Sequence, residues 1–390
     1  MSATGSGTAV PILEPDVPRT DAPRADAATV SAVSHAAPAA PAVVSLNPTA
    51  KRFFVAVLGL TLLPFLWIPL SWAMIGATVT TGGGIPTPDS FDLTSASALA
   101  TFTALLLWIG SQAHVASSLF FYGDPEARRF MLRERPGRFV VAPIACIVGM
   151  PASLMLAASL PRGTIKQNLV FTIIGAYWVW QAHHYTRQNH GVLAFLARAE
   201  RTRPSEAEMR AIKLSGLGGI LGILPLLGGF TTSAYGALGT LMYFAAFGLI
   251  AAAWVVWLRG RSEAAPSTLR TVTMAVLLLF YVPILFFDDV FPAVMGFATA
   301  HGLQYLLFMG FVSQGAGPRR GVNWWGAALL VASAVGGGLL LRYFAKGADG
   351  AFYGVALGLV MAHFVIDAGM WRLREAFPRQ YVTARFPFLG

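Results

Sequence analysis

Apolar runs near twenty residues long recur along this chain with almost no charged side chain inside them. About twenty such residues are what a helix needs to cross the ~30 Å hydrocarbon core of a bilayer. The runs are continuous rather than alternating apolar and polar, which excludes a β-barrel pattern and points to helices. Of 390 residues, 55% are hydrophobic and only 12% charged, so a soluble globular domain is not expected. The predicted fold class is all-α, a polytopic transmembrane helical bundle. Ten spans are placed at about 53–77, 95–122, 139–160, 168–187, 214–230, 236–258, 270–287, 293–313, 323–344 and 351–371.

The net charge of +10 raises the question of nucleic acid, but its distribution answers it. With both termini cytoplasmic, every Lys and Arg except Arg162, Lys166, Arg342 and Lys346 falls on the inner side. That is the positive-inside bias, which sets orientation. The basic excess then reflects topology and anionic lipid, and no nucleic-acid partner is expected. A bacterial inner membrane is the expected location.

Residues 1–48 are rich in Ala, Pro, Val, Thr and Ser, and lack the basic and apolar regions of a cleavable signal peptide. They are expected to form a disordered cytoplasmic tail, with residues 49–390 as one transmembrane domain. Two inner connections carry helix-start signals: Asp124-Pro125, and Ser205 with Glu208 at capping-box spacing. Gly218 and Gly222 stand four apart in an apolar run, which suits close helix packing, and Gly336, Gly337 and Gly338 are read the same way.

Six of the seven histidines lie in or beside the predicted spans; the seventh, His35, is in the tail. Ionisable groups are costly inside a bilayer and occur there where they function. His114 belongs to span 2, His183, His184 and His190 to span 4 or its inner end, His301 to span 8, and His363 with Asp367 to span 10. All are even-numbered spans running outside to inside. At ~1.5 Å per residue, His114, His301 and His363 sit roughly 13–18 Å before the inner ends of their helices, and His190 is the shallowest. One site in the cytoplasmic half of the membrane is therefore expected.

His363 and Asp367 are i and i+4, so they share a helix face. His183 and His184 point ~100° apart, so at most one faces a given centre. His183 and His190 share a face but lie ~10 Å apart, and would need two ions or a helix break before Gly191. Gln181, Arg187, Gln188, Asn189, Gln304 and Tyr305 are candidates for supporting polar contacts, and Arg187, Gln188 and Asn189 also for an anionic head group. Asp288 and Asp289 fall in an outer loop, as a simple uncharged-by-base connection or a mouth for protons or cations. The lone Cys146 excludes a site built from several thiolates of this chain. Imidazole with one carboxylate suits iron, zinc or copper.

On His114, His183-His184, His301 and His363-xxx-Asp367, the chain resembles at class level the histidine-rich multi-pass non-haem iron oxygenases. These include membrane fatty-acid hydroxylases and desaturases and Brp/Blh-type carotenoid-cleaving enzymes. The HxxxH and HxxHH boxes of the first group are absent, and Asp367 stands where a Brp/Blh assignment wants a second histidine. The resemblance implies one or two irons, an oxidoreductase acting on a lipid or other apolar substrate, and an electron-donor protein. His183, His301, His363 and Asp367 are expected as direct ligands, completed by His114 and by His184 or His190. Two other readings stay open: a proton-coupled transporter using these groups as a relay, and a haem-binding electron carrier.

Overall fold

The computed structural model describes residues 46–75, 98–227, 236–261, 267–287, 290–317, 321–346 and 350–389. Most of the predicted tail, His35, Asp288 and Asp289 lie outside the described residues. Among the described residues the secondary structure is helical, with no strand. The helices are α1 (Pro48–Ile75), α2 (Ala98–Trp108), α3 (His114–Ser117), α4 (Phe120–Gly123), α5 (Pro125–Arg129), α6 (Ala142–Ser159), α7 (Thr164–Ala199), α8 (Glu206–Leu226), α9 (Gly236–Gly260), α10 (Thr268–Leu279), α11 (Val290–Ser313), α12 (Trp324–Lys346), α13 (Gly350–Met370) and α14 (Ala376–Thr383).

Eight stretches of this all-α bundle are long and apolar enough to cross a membrane, which is compatible with an integral membrane protein. The other two predicted spans correspond to α7 and α11. Helix α7 runs unbroken for 36 residues, well past the predicted end at 187. The break considered before Gly191 is therefore absent, and His190 continues the same helix as His183. Span 2 is instead interrupted: α2 passes into a π-helical turn, Ile109–Ala113, before α3 begins at His114.

Close packing follows the small residues. A Cβ on Gly218 would meet Ile250 Cγ1 at 2.7 Å, and one on Gly222 would meet Ile284 Cγ2 at 2.5 Å, so α8 lies tight against α9 and its neighbour. Gly337 and Gly338 face Ala116 and Ala113 in the same way, whereas Gly336 faces open space. Both helix starts read from the sequence are present. Asp124 accepts from the Glu126 and Ala127 amides ahead of α5. Ser205 and Glu208 form the reciprocal capping box of α8.

Glu208 also serves a second structure. The Arg270 guanidinium, buried, donates from Nε to Glu208 Oε1 at 2.7 Å and from Nη2 to Oε2 at 2.5 Å. It further reaches Thr202 Oγ1 at 2.8 Å and the Arg203 carbonyl at 2.9 Å. Those acceptors are presented by the turn that ends α7, where Arg201 takes the left-handed φ of 57° and Thr202 N–H bonds back to Ala197 O. This closure resembles a helix C-cap motif in a residue other than glycine. The network joins the α7–α8 turn to the start of α10.

The C-terminal segment, expected only as a basic inner stretch, folds back onto the bundle. Phe386 and Phe388 are buried among Phe53, Phe195, Phe308 and Phe311, with Phe311 and Phe386 stacked at 5.4 Å. Buried Arg385 lies 3.5 Å from the Tyr381 ring centre and 2.8 Å from Glu126 Oε2. Basic composition concealed this docking, because the anchoring aromatics are spaced too irregularly to form a span.

Breaking a buried, bidentate ion pair by removing one partner typically costs about 3–5 kcal/mol. Arg270→Met should therefore lower the thermal midpoint of the detergent-solubilised protein markedly, while Arg210→Met, which removes the exposed Arg210–Glu206 pair, should leave it nearly unchanged.

Candidate metal centre

Each helix of the centre delivers its side chain by a local device. The π-helical turn ends on His114, whose N–H reaches back five residues to Ile109 O. The wider turn rotates His114 relative to a regular continuation of α2; such single turns recur at functional sites. The neighbouring backbone is then brought exceptionally close to α11. A Cβ on Gly302 would fall 2.0 Å from Gly110 O and 2.7 Å from His114 Nδ1, and one on Gly110 would fall 2.8 Å from Thr299 Cα. Only glycine at both positions permits this crossing, and it sets His114 beside His301.

His184 comes from α7, and His363 with Asp367 from α13. The four imidazoles pack ring against ring: His114–His301 5.0 Å, His184–His301 4.9 Å, His114–His363 5.1 Å and His184–His363 5.4 Å between centres. All five side chains are buried, His301 and His363 almost completely. Two overlapping groups have ligand atoms within 4.8 Å of one another: His114, His301 and His363, and His184, His363 and Asp367. His363 belongs to both. An ion with bonds of about 2.0–2.2 Å spans up to roughly 4.4 Å between opposite ligand atoms, so little contraction would be needed.

The carboxylate is oriented for such a role. Tyr305 donates its hydroxyl to Asp367 Oδ1 at 2.7 Å. The other oxygen, Oδ2, faces His363 Nε2 at 3.3 Å and His184 Nε2 at 3.7 Å. By contrast the imidazoles lack hydrogen-bond partners: both nitrogens of His301, both of His363, His114 Nδ1 and His184 Nε2 are buried without one. A buried polar atom left without a partner costs about 1–3 kcal/mol. One ligand atom from each member of either group lies within 4.8 Å of the others, a spacing that could hold a cation, and the donor set of imidazole plus carboxylate matches iron, zinc or copper.

The surroundings hold this geometry. Phe364 stacks on His184 at 4.4 Å, and the Tyr185 ring leans on His301 at 4.5 Å. Gln188 donates to the His301 carbonyl at 3.0 Å and to Gln304 Oε1 at 2.8 Å; Gln304 in turn donates to Thr61 Oγ1 at 2.5 Å. Helices α1, α7 and α11 are thereby tied together beside the cluster. Gln181 donates to the Tyr185 hydroxyl, one turn before His184.

Three expected residues are not in the cluster. His183 is exposed, because the ~100° step per residue turns it away once His184 faces inward; the expected preference for His183 over His184 is reversed. His190 sits farther along the unbroken α7, 3.4 Å from the Met209 carbonyl against α8. Asn189, expected as a supporting contact, is buried with its Oδ1 lacking a hydrogen-bond partner. Gly110, Gly302, Phe364 and Thr61 were not foreseen. The pair His301-Gly302 was a legible signal, since a glycine beside an intramembrane histidine permits close approach of another helix.

A cavity of about 410 Å³ opens between α7 and α13 and reaches the cluster. His184 and Asp367 line it, with Tyr305 alongside; Trp180, Phe195, Phe308 and Trp371 supply apolar wall, and His183, Arg187, Arg372 and Arg374 complete it. Its volume is within the ~300–1,000 Å³ typical of small-molecule sites.

Comparison with known proteins returns no match to a family model, to a curated protein or to a solved structure. The reading of the centre rests on its own geometry.

Two outcomes are expected. Tyr305→Phe should keep the fold but weaken metal binding by roughly 10–100-fold, the usual effect of losing a group that orients a ligand, measured by competitive chelator titration. Gly302→Ala should lower thermal stability sharply, because its methyl would overlap the Gly110 carbonyl.

Proposed function

We propose that this protein is an integral-membrane metalloenzyme that binds iron through His114, His184, His301, His363 and Asp367 and oxidises a lipid or other apolar substrate. The observation that carries this reading is the set of buried imidazole nitrogens without hydrogen-bond partners, converging from four helices around one carboxylate. Ring centres about 5 Å apart leave room for an ion between the imidazoles.

Bound iron would supply oxygen activation toward a C–H or C=C bond, and the protein supplies orientation and environment. The chain's own residues have separable tasks in this proposal. The four imidazoles and Asp367 hold the cation. Tyr305 fixes which carboxylate oxygen faces it. Phe364 and Tyr185 keep water from the ring faces, and the aromatic wall of the α7–α13 cavity admits an apolar chain to the His184 and Asp367 side. Electrons would come from a separate donor protein. The reading agrees with the class-level resemblance to histidine-rich membrane oxygenases.

Elemental analysis and an absorption spectrum of the purified protein provide the test. Iron at one or two equivalents without a Soret band is expected. His363→Ala and Asp367→Ala should lose most of that metal while still inserting into the membrane, whereas His183→Ala and His190→Ala should retain it. Full occupancy in His363→Ala would overturn the assignment, a Soret band would substitute haem, and absence of any metal would return the cluster to a relay. Chelation of the metal should also lower the thermal midpoint, because a ligand bound only by the folded state stabilises it.

A further inference from the structure

The cavity beside the cluster is not uniformly apolar, and its polarity is one-sided. Its apolar wall is formed by Trp180, Phe195, Phe308 and Trp371, while Arg187, Arg372 and Arg374 bring three guanidinium groups to the same space. One of the three has an acidic partner: Arg372 Nη1 lies 2.9 Å from Glu375 Oε1. The carboxylate at the cluster, Asp367, accepts from Tyr305 and stands 3.3 Å from His363 Nε2. Arg187 and Arg374 are both exposed, and neither makes an ion pair among the described residues. Guanidinium groups match carboxylate and phosphate geometry through paired N–H donors.

The arginines and the cluster are also ordered along the helices. Arg187 follows His184 by three residues on α7, a rise of about 4.5 Å. Arg372 and Arg374 follow the end of α13 at Met370, beyond Asp367. The cationic groups thus lie on one side of the cluster, just past the ends of the residues that line its approach. At about 410 Å³ the cavity is within the ~300–1,000 Å³ of small-molecule sites.

We propose that the cavity binds an anionic amphiphile, with its carboxylate or phosphate head on Arg187 and Arg374 and its apolar chain against the aromatic wall beside His184 and Asp367. This names the substrate class of the proposed metal centre and rests on that reading. A neutral hydrocarbon would leave the two guanidinium groups without a counter-charge, and a cationic amphiphile would be repelled.

The purified full-length protein in nanodiscs of zwitterionic lipid allows the test. Binding of radiolabelled dodecanoate is measured by equilibrium partition against dodecanol, dodecylammonium and dodecyl phosphate, with metal content determined on the same samples. Dodecanoate or dodecyl phosphate should bind at least tenfold tighter than dodecanol, and the better of the two distinguishes a fatty-acid from a phosphate head. Arg187→Gln combined with Arg374→Gln should reduce anion binding at least tenfold, leave dodecanol unchanged and leave metal content unchanged. Gly191→Leu provides a second route, since Gly191 lines the cavity and a Cβ there meets nothing within 4 Å. It should block dodecanoate while metal is retained. Equal affinity for acid and alcohol, or undiminished dodecanoate binding in both variants, would overturn the proposal. Such a result with metal present would leave the metal centre standing, whereas selective binding without metal would remove the centre and keep the anion site.

Discussion

A polar atom that cannot reach water must find its partner within the protein, and this constraint organises the bundle around its histidines. Some surrounding polar groups obey it: Gln188, Gln304 and Thr61 form a continuous chain of donors and acceptors, and Tyr305 satisfies one oxygen of Asp367, whereas Gln181 Oε1 and Asn189 Oδ1 are buried without a partner. The imidazole nitrogens at the centre do not obey it either. Buried imidazole acceptor nitrogens gathered beside a carboxylate could hold a cation, which serves several of them at once.

Assembling that arrangement requires departures from regular helix packing. The π-helical turn before His114 redirects one helix, and the Gly110–Gly302 crossing removes the side-chain spacing that normally separates two others. Both are placed next to histidines of the cluster, and the same devices recur elsewhere: π-helical turns at Phe130–Glu134 and Gly137–Val141 and a crossing at Gly326, where a Cβ would fall 1.8 Å from Ser313 O. Glycines at 218 and 222 pack α8, and Arg270 with Glu208 ties the α7–α8 turn to α10.

The C-terminal segment shows how far tertiary packing extends past the apolar spans. Arg385 reaches Glu126 across most of the sequence, and Phe386 and Phe388 close the aromatic core around Phe53, Phe195 and Phe311. Phe195 and Phe308 belong both to this core and to the cavity wall. The segment that ends the chain therefore supports the surface along which a ligand would approach the cluster.

Much of the architecture was legible in the amino-acid order. Long uncharged runs dictate helices, since no other element satisfies its own backbone in an apolar medium. Asp124-Pro125 and Ser205-xx-Glu208 mark helix starts through bonds local to the chain, and His363 with Asp367 share a face through helical periodicity alone. That at most one of His183 and His184 faces a centre also follows from periodicity. Which one does is decided by how α7 is rotated against α11 and α13, and that rotation depends on Phe364, Tyr185 and Gln188 contacts between segments distant in sequence. The same holds for the exclusion of His190, which needed an unbroken α7, and for Gly110 meeting Gly302. Local sequence determines the period and the faces of each helix; only the packed bundle determines their mutual rotation and separation, because those are set by side chains that meet after the helices have formed.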